Sequence, residues 1–251
     1  MKVFSVTGIT KSGKTATIEL IIKELITRGY TVGTVKEIHN EEFRMDTEGK
    51  NTYRHRQAGA LTVTALGYHE TDVMYPYKMN VYQLLKHYTE DYVILEGVDY
   101  INVPRIAVAH NREELVIDDR TFLISGVITN TVKGDIDGIP LISAKDNVSK
   151  IADIIIAKVP PLMPDVDVNC CGECGTSCRE LLSGYLRGNA IINDCVLNQN
   201  KVSLSIDGKE VKIVPFVDKI LYNTVKGIVK EKTPKLLLSY ETDKAVQKQK
   251  E

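Results

Sequence analysis

Near the start of the chain, Gly8-Ile9-Thr10-Lys11-Ser12-Gly13-Lys14-Thr15 fits G-x-x-x-x-G-K-[ST] at every position. Few sequence features constrain a fold as tightly. Such a loop works only if its backbone N–H groups turn inward toward phosphate oxygens, which needs conformations that Gly8 and Gly13 tolerate. A strand must deliver the chain and a helix must leave it, because the helix N-terminus adds its dipole to the anion site. Both are present. Lys2–Thr7 is a short β-rich run, and Ile18, Ile21, Ile22, Leu25 and Ile26 then recur at helical spacing up to Gly29. Lys14 would put a fixed charge on the β- and γ-phosphates, and the Thr15 hydroxyl would ligate Mg²⁺.

A second motif agrees with the first. Tyr92-Val93-Ile94-Leu95-Glu96-Gly97 is an apolar strand ending in an acid, as a Walker B segment should be. Glu96 could hold the Mg²⁺ shell or orient water across from the loop. The bound base is not written as plainly. Lys133-Gly134-Asp135 follows a strand, but Val132 stands where guanine-reading loops carry Asn or Thr. A surface turn explains it better, and ATP and GTP both stay open on these residues.

Strand-like runs follow at 31–35, 61–66, 92–95, 106–109, 123–128 and 139–142, and helical patterns at 52–59, 81–88 and 145–157. Apolar strands alternating with helices predict an α/β P-loop domain over 1–158, with a mostly parallel sheet and flanking helices. Residues 159–169, rich in proline and aspartate, read as a linker. A small α+β metal-binding domain is expected over 170–232. Its helix carries Leu181, Leu182, Tyr185 and Leu186 and stops at Gly188. A hairpin follows, with Val202, Leu204 and Ile206 before Asp207-Gly208 and Val211 and Ile213 after it, and Phe216 to Ile228 then close the domain as a helix. Residues 233–251 read as a polar tail.

All five cysteines lie between 170 and 195. Structural disulfides would usually be spread along a chain, so this clustering points to a metal or cluster site. Cys171, Cys174 and Cys178 share one glycine-containing turn, and Cys195 returns from beyond the short helix. Four thiolates so arranged suit a [4Fe–4S] cluster or tetrahedral Zn²⁺, and three in one loop is the more cluster-like layout. Cys170 could stand in for Cys171. The stretch resembles the small four-cysteine iron–sulfur domains of archaeal and anaerobe proteins, with one residue fewer between its second and third cysteines than many of them have.

The formal net charge of −1 argues against a nucleic-acid binder that relies on bulk electrostatics. No apolar run reaches the length of a membrane span, so a cytoplasmic protein with no membrane partner is expected.

Between the two nucleotide motifs come Lys36-Glu37-Ile38-His39, Phe43-Arg44-Met45-Asp46, Gly49-Lys50-Asn51-Thr52-Tyr53-Arg54-His55 and Ala58-Gly59-Ala60. This order, after an N-terminal P-loop and before an Ile-Leu-Glu-Gly strand, resembles the MobB family over roughly residues 1–160. Those proteins act where a guanine nucleotide is attached to molybdopterin. The resemblance implies GTP as the nucleotide, weak hydrolysis, a homodimer, and docking to a MobA-type nucleotidyltransferase and other molybdopterin-handling enzymes. It puts His39, Lys50, Arg54, His55 and Gly97 at the triphosphate, and Asp46 beside Mg²⁺ or its water, with Asp46 and Glu96 the catalytic acids. The family usually reads Lys-His where this chain has Lys36-Glu37, and often Lys in place of Asp99. Both departures lower the local positive charge.

The expected function is therefore a GTP-binding accessory protein of molybdopterin guanine dinucleotide biosynthesis that carries an added iron–sulfur or zinc module. A second reading is an ATP-dependent iron–sulfur or metal carrier whose P-loop domain switches the cysteine site. A small-molecule kinase is a third, for which no acceptor pocket or base can be identified.

Overall fold

A computed structural model describes residues 1–164, 174–192, 195, 202–206, 209–211, 213, 215–229 and 236–240. The centre is a five-stranded sheet made of β1 (Lys2–Thr7), β2 (Val32–Lys36), β5 (Tyr92–Glu96), β6 (Arg105–Val108) and β7 (Thr121–Ser125). Their order is β2-β5-β1-β6-β7 and every neighbouring pair is parallel. Parallel neighbours need crossovers rather than tight hairpins: helices lie between β1 and β2 and between β2 and β5, whereas β6 reaches its parallel neighbour β7 through residues 109–120 without a helix. The sheet is buried on both faces, and β5 and β7 accordingly read as unbroken apolar runs.

The two faces use alternate residues of each strand. Phe4, Val6, Tyr92 and Ile94 meet α1 (Lys14–Thr27) and α4 (Ala144–Lys158), whose Ile18, Ile21, Leu25, Ile151 and Ile155 share their core cluster. Val3, Val93 and Leu95 face the other way, onto Val81 and Leu85 of the short α3 (Val81–Leu85) and onto Val98, Ile101 and Val103. The α/β expectation holds, although that second face is covered largely by irregular chain.

The run at 61–66 does not join this sheet. Its strand β3 (Val63–Leu66) pairs antiparallel with β4 (Thr71–Met74), which the sequence pattern did not show, and α2 (Asn51–Gln57) precedes that hairpin. Leu66 and Tyr68 of the hairpin are fully or nearly fully exposed. A second small ribbon pairs β8 (Asp135–Ile136) with β9 (Ile139–Pro140) around a turn at Asp137-Gly138; the exposed Lys133–Asp135 segment leads into β8.

The chain after α4 stays on the core. Val159 and Met163 are buried in the main cluster, and Lys2 bridges to Pro161. The helix α5 (Cys178–Leu186) is started by a capping box between Ser177 and Glu180 and adds Leu181, Leu182 and Leu186 to the same cluster, with Cys195 beside them. Three further strands form a small sheet in the order β11-β10-β12. They are β10 (Val202–Ile206), β11 (Lys209–Val211) and β12 (Leu236–Tyr240), and α6 (Pro215–Val229) lies between the last two in sequence. The expected hairpin is β10–β11, with Leu204 opposite Val211. β12 runs parallel to β10 inside the stretch read as a polar tail, because lysine-rich surroundings hid the run Leu236-Leu237-Leu238.

An ion cluster pins α5 to the sheet. Arg105 and Arg120 are both nearly buried, and Asp118 answers them at 3.4 and 2.6 Å. Burial alone would raise the Asp118 pKa, but hydrogen bonds from Arg120 and the charges of Arg105 and Arg120 carry it below the usual carboxylate range. Arg179 of α5 reaches Asp119 at 2.6 Å and Asp118 at 3.4 Å. Its hydrogen bonds depress the Asp119 pKa as well.

Candidate functional site

A cleft of about 740 Å³ opens at the carboxyl ends of β1, β2 and β5, the edge where open α/β sheets bind ligands. It is lined by Thr7 through Lys11, Gly13 to Ala16, Lys36, Glu37, His39, Glu96, Gly97 and Asp99. The loop has the backbone its sequence requires. Gly13 has φ 97° and caps α1, and Lys11 adopts φ 63°. A Cβ on Gly8 would collide with the Val108 carbonyl, so β6 presses the loop from one side and admits only glycine there. Buried Ser12 donates to the Ile9 carbonyl at 2.8 Å, while its own carbonyl accepts from Val127 N–H at 3.1 Å. The start of β7's exit therefore braces the loop from below.

The charged groups converge on one point. Lys14 Nζ donates to the Gly8 carbonyl at 2.7 Å and to that of Ile9, lying across the mouth of its own loop. Partial burial and the charge of Lys36 lower its pKa, against the pull of Glu96. Thr15 Oγ1 donates to Glu96 Oε1 at 3.2 Å, and Lys36 Nζ stands 3.4 Å from the same oxygen. Two hard oxygens at this spacing fit adjacent ligands of one octahedral Mg²⁺, which sit about 3 Å apart. Thr15 and Glu96 would hold the ion, directly or through water, and it would draw charge off the β- and γ-phosphates. Gly97, at φ 83°, donates its N–H to the Val6 carbonyl at 3.0 Å and keeps the end of β5 locked to β1.

The expected residues divide into two sets. Gly8, Ile9, Thr10, Lys11, Gly13, Lys14, Thr15, His39, Glu96 and Gly97 line the cleft, and Ser12 supports it from underneath. Asp46, Lys50, Arg54 and His55 are not among the lining residues. Asp46 instead accepts from Thr52 Oγ1 at 2.9 Å and faces Arg56 at 3.8 Å, tying the incoming loop to α2. Lys50 precedes that helix, and Arg54 and His55 are exposed on it. Sequence reasoning left Lys36, Glu37 and Asp99 out of the site. Their signal was position, since Lys36 and Glu37 lie at the carboxyl end of β2 and Asp99 lies just after that of β5, on the same side of the sheet as the loop.

Of the expected thiolates, Cys174 makes a 3.6 Å contact with the Thr176 carbonyl, Cys178 opens α5 and Cys195 is buried in the core. Cys170 and Cys171 lie outside the described residues. Among the described residues no three His, Cys, Asp or Glu side chains gather as metal ligands. No helix among them is long and apolar enough to cross a membrane.

A P-loop on the central strand of a parallel sheet, facing an acid at the end of the adjoining strand, defines this chain as a P-loop α/β protein. The model of the MobB family, described as molybdopterin guanine dinucleotide synthesis protein B, matches residues 3–130. A Methanocaldococcus jannaschii protein, provisionally named a molybdopterin-guanine dinucleotide biosynthesis adapter protein, is 30% identical over 237 residues and 91% of each chain. A Haemophilus influenzae protein of that name is 30% identical over 113 residues, 43% of this chain and 62% of its own. The chain belongs to the MobB family. The crystal structure of Bacillus subtilis MobB has the same fold, with a TM-score of 0.53 and 23% identity over 64% of this chain and 99% of that one. Just over a third of this chain has no counterpart there.

Proposed function

We propose that this chain is a GTP-binding accessory protein of molybdopterin guanine dinucleotide biosynthesis, with slow GTP hydrolysis. The observation that carries the proposal is the cleft in which Lys14, Thr15, Lys36 and Glu96 converge. In this reading the loop N–H groups and Lys14 hold the β- and γ-phosphates while Thr15 and Glu96 hold Mg²⁺. Water attacks the γ-phosphorus in line, the bond to the β,γ-bridging oxygen breaks, and GDP and phosphate leave. Among the described residues none that lines the cleft is arginine, the cation that accelerates this step in fast enzymes, which supports a slow rate. Family membership supports guanine as the base, a homodimer as the assembly and a MobA-type nucleotidyltransferase as the partner. Asp46, Lys50, Arg54 and His55 would join the site through movement of the 37–50 segment or through a second subunit.

The cysteines would form a [4Fe–4S] or Zn²⁺ site, with Cys171, Cys174, Cys178 and Cys195 as ligands. Their number and spacing support this. The carrier reading, in which an ATP-driven P-loop switches that site, is favoured by one feature, the Arg179 clasp between α5 and the Asp118–Asp119 turn.

Titration calorimetry with GTP and ATP on anaerobically purified full-length protein, alongside metal analysis, tests the two sites together. GTP preferred over ATP with iron and sulfide near four per chain is the expected result. A wide preference for ATP would sink the accessory-protein reading, and stoichiometric zinc would replace the cluster.

A further inference from the structure

Lys36 is a second ammonium lining the cleft, beside the one that the P-loop supplies. It ends β2 and stands directly opposite Glu96 in the register of β2 and β5. Its Nζ is 3.4 Å from Glu96 Oε1, the oxygen that also accepts from Thr15 Oγ1 at 3.2 Å. Among the described residues Glu96 is its one ion-pair partner. The hold is loose. A strong ammonium–carboxylate hydrogen bond measures about 2.8 Å, and the Lys36 side chain is 60% exposed whereas that of Glu96 is 15% exposed. An exposed cation on such a pair adds little to stability, so folding gains little from placing Lys36 there.

The backbone under Lys36 is fixed. The next residue, Glu37, donates its N–H to the Glu96 carbonyl at 3.0 Å, and its nearly buried carboxylate accepts from Lys78 Nζ at 2.6 Å. Two residues before Lys36, the Thr34 carbonyl accepts from the Tyr88 hydroxyl at 2.8 Å. Any movement of the Lys36 cation is therefore a rotation of its flexible four-carbon stem and not a shift of the strand. Lys14 is close enough to feel that cation: burial, the largest cause, and the Lys36 charge lower its pKa, against the pull of Glu96. Two ammonium groups thus face one carboxylate, an arrangement that favours a further anion between them.

We propose that Lys36 is the residue by which the cleft tells a nucleoside triphosphate from a diphosphate, its ammonium passing from Glu96 to the γ-phosphate. With a diphosphate bound, Glu96 keeps Lys36. With a triphosphate bound, Glu96 serves Mg²⁺, and the γ-phosphate, which shares that ion with the β-phosphate, offers Lys36 a stronger anion within reach of its stem. Lys14 cannot make this distinction, because it serves the β- and γ-phosphates together. The assignment deepens the reading of the cleft as a guanine-nucleotide site, and rests on the phosphate half of that reading and not on the base.

The test is a fluorescence titration of the full-length protein, in Mg²⁺, with methylanthraniloyl derivatives of GDP and of a non-hydrolysable GTP analogue. Wild type should bind the analogue at least about tenfold more tightly than GDP, as one charge-assisted hydrogen bond implies. Lys36→Met keeps the stem and removes the cation. It should weaken the analogue about tenfold and leave GDP unchanged or up to about threefold tighter, because Glu96 is no longer shared between Lys36 and Mg²⁺. Lys36→Arg should keep the discrimination. The melting temperature of Lys36→Met should stay within about 3 °C of wild type; a larger loss would make Lys36 part of the fold and overturn the switch. A supporting role, in which Lys36 only holds Glu96 in place, would weaken both nucleotides by the same factor, and that result overturns the proposal. So does a wild type that binds the two alike, or a Lys36→Met protein that still tells them apart. If neither guanine nucleotide binds, ADP and a non-hydrolysable ATP analogue take their place. The same split on the adenine pair would support the switch and reject guanine as the base, and no binding of either pair would overturn both.

Discussion

The nucleotide cleft and the cysteine region are built on opposite principles. The cleft is made of backbone: glycines at fixed φ, strand ends locked to each other, and a carbonyl of β6 that leaves no room for a Cβ at Gly8. The described part of the cysteine region is held by side chains, through Leu181, Leu182 and Leu186 in the core and Arg179 in the ion cluster. Their positions differ too. The cleft sits at the carboxyl ends of the strands, whereas Asp118 and Asp119 precede the first residue of β7. That strand has five residues, so about 15 Å of sheet separates the Arg179 clasp from the loop it leads to. Cys178 adjoins the clasp, at the far end of the sheet from the P-loop. A site at these cysteines would reach the nucleotide through the sheet, not by contact.

That contrast can be broken from its strongest side first. Leu182 is fully buried in the cluster that also contains Phe4 and Ile151, so Leu182→Ala should destabilise the whole nucleotide domain by about 3–4 kcal/mol. Chemical denaturation should show one transition. Two transitions, with the nucleotide-binding one unmoved, would make the cysteine region a separately folding unit.

Asp118→Asn should cost about 3 kcal/mol, because Arg105 and Arg120 would be left nearly buried without their counter-ion. The sign of its pH dependence follows from the depressed folded pKa. The Asp118 contribution is fully present above the unfolded value near 4 and is lost as pH falls through the folded value. Wild type should therefore lose stability more steeply than Asp118→Asn below about pH 4. Parallel acid-unfolding curves for the two proteins would contradict this.

Lys14→Ala sharpens the comparison from the other side. It should weaken GTP binding about 100-fold, equal to about 2.7 kcal/mol, with little change in melting temperature. A large stability loss would mean that the bonds from Lys14 to the Gly8 and Ile9 carbonyls hold the fold as well as the ligand. The smallest effect belongs to Arg179→Ala. Its side chain is half exposed, so the Asp119 pair contributes under about 1 kcal/mol. A melting temperature lowered by no more than a few degrees with unchanged nucleotide affinity is the expected outcome, and a change in GTP turnover would reveal coupling between the two regions.

The two regions were also unequally legible. The P-loop, the apolar strand ending in Glu96 and the hairpin of Val202 to Val211 could be read directly, because local backbone rules write each into a few adjacent residues. His39 lines the cleft and Asp46, Lys50, Arg54 and His55 do not, a division the sequence could not make because residue order leaves the path of the 37–50 loop free. Glu37 and Asp99 were noticed as departures in charge and not as parts of the site. Their place depends on the order of β2, β5 and β1 in the sheet, which is a long-range fact.

What the sequence determined by itself was the phosphate loop, because only glycine satisfies its backbone at Gly8 and Gly13 and the next residues start a helix. It also determined the parallel character of the sheet, through apolar strands too continuous to have a wet face. Only the tertiary structure decided that Thr15 meets Glu96, that Glu37 pairs with Lys78, and that α5 shares the main core. These pairings join residues far apart in the chain, and strand order, set by the packing of both sheet faces, brings them together.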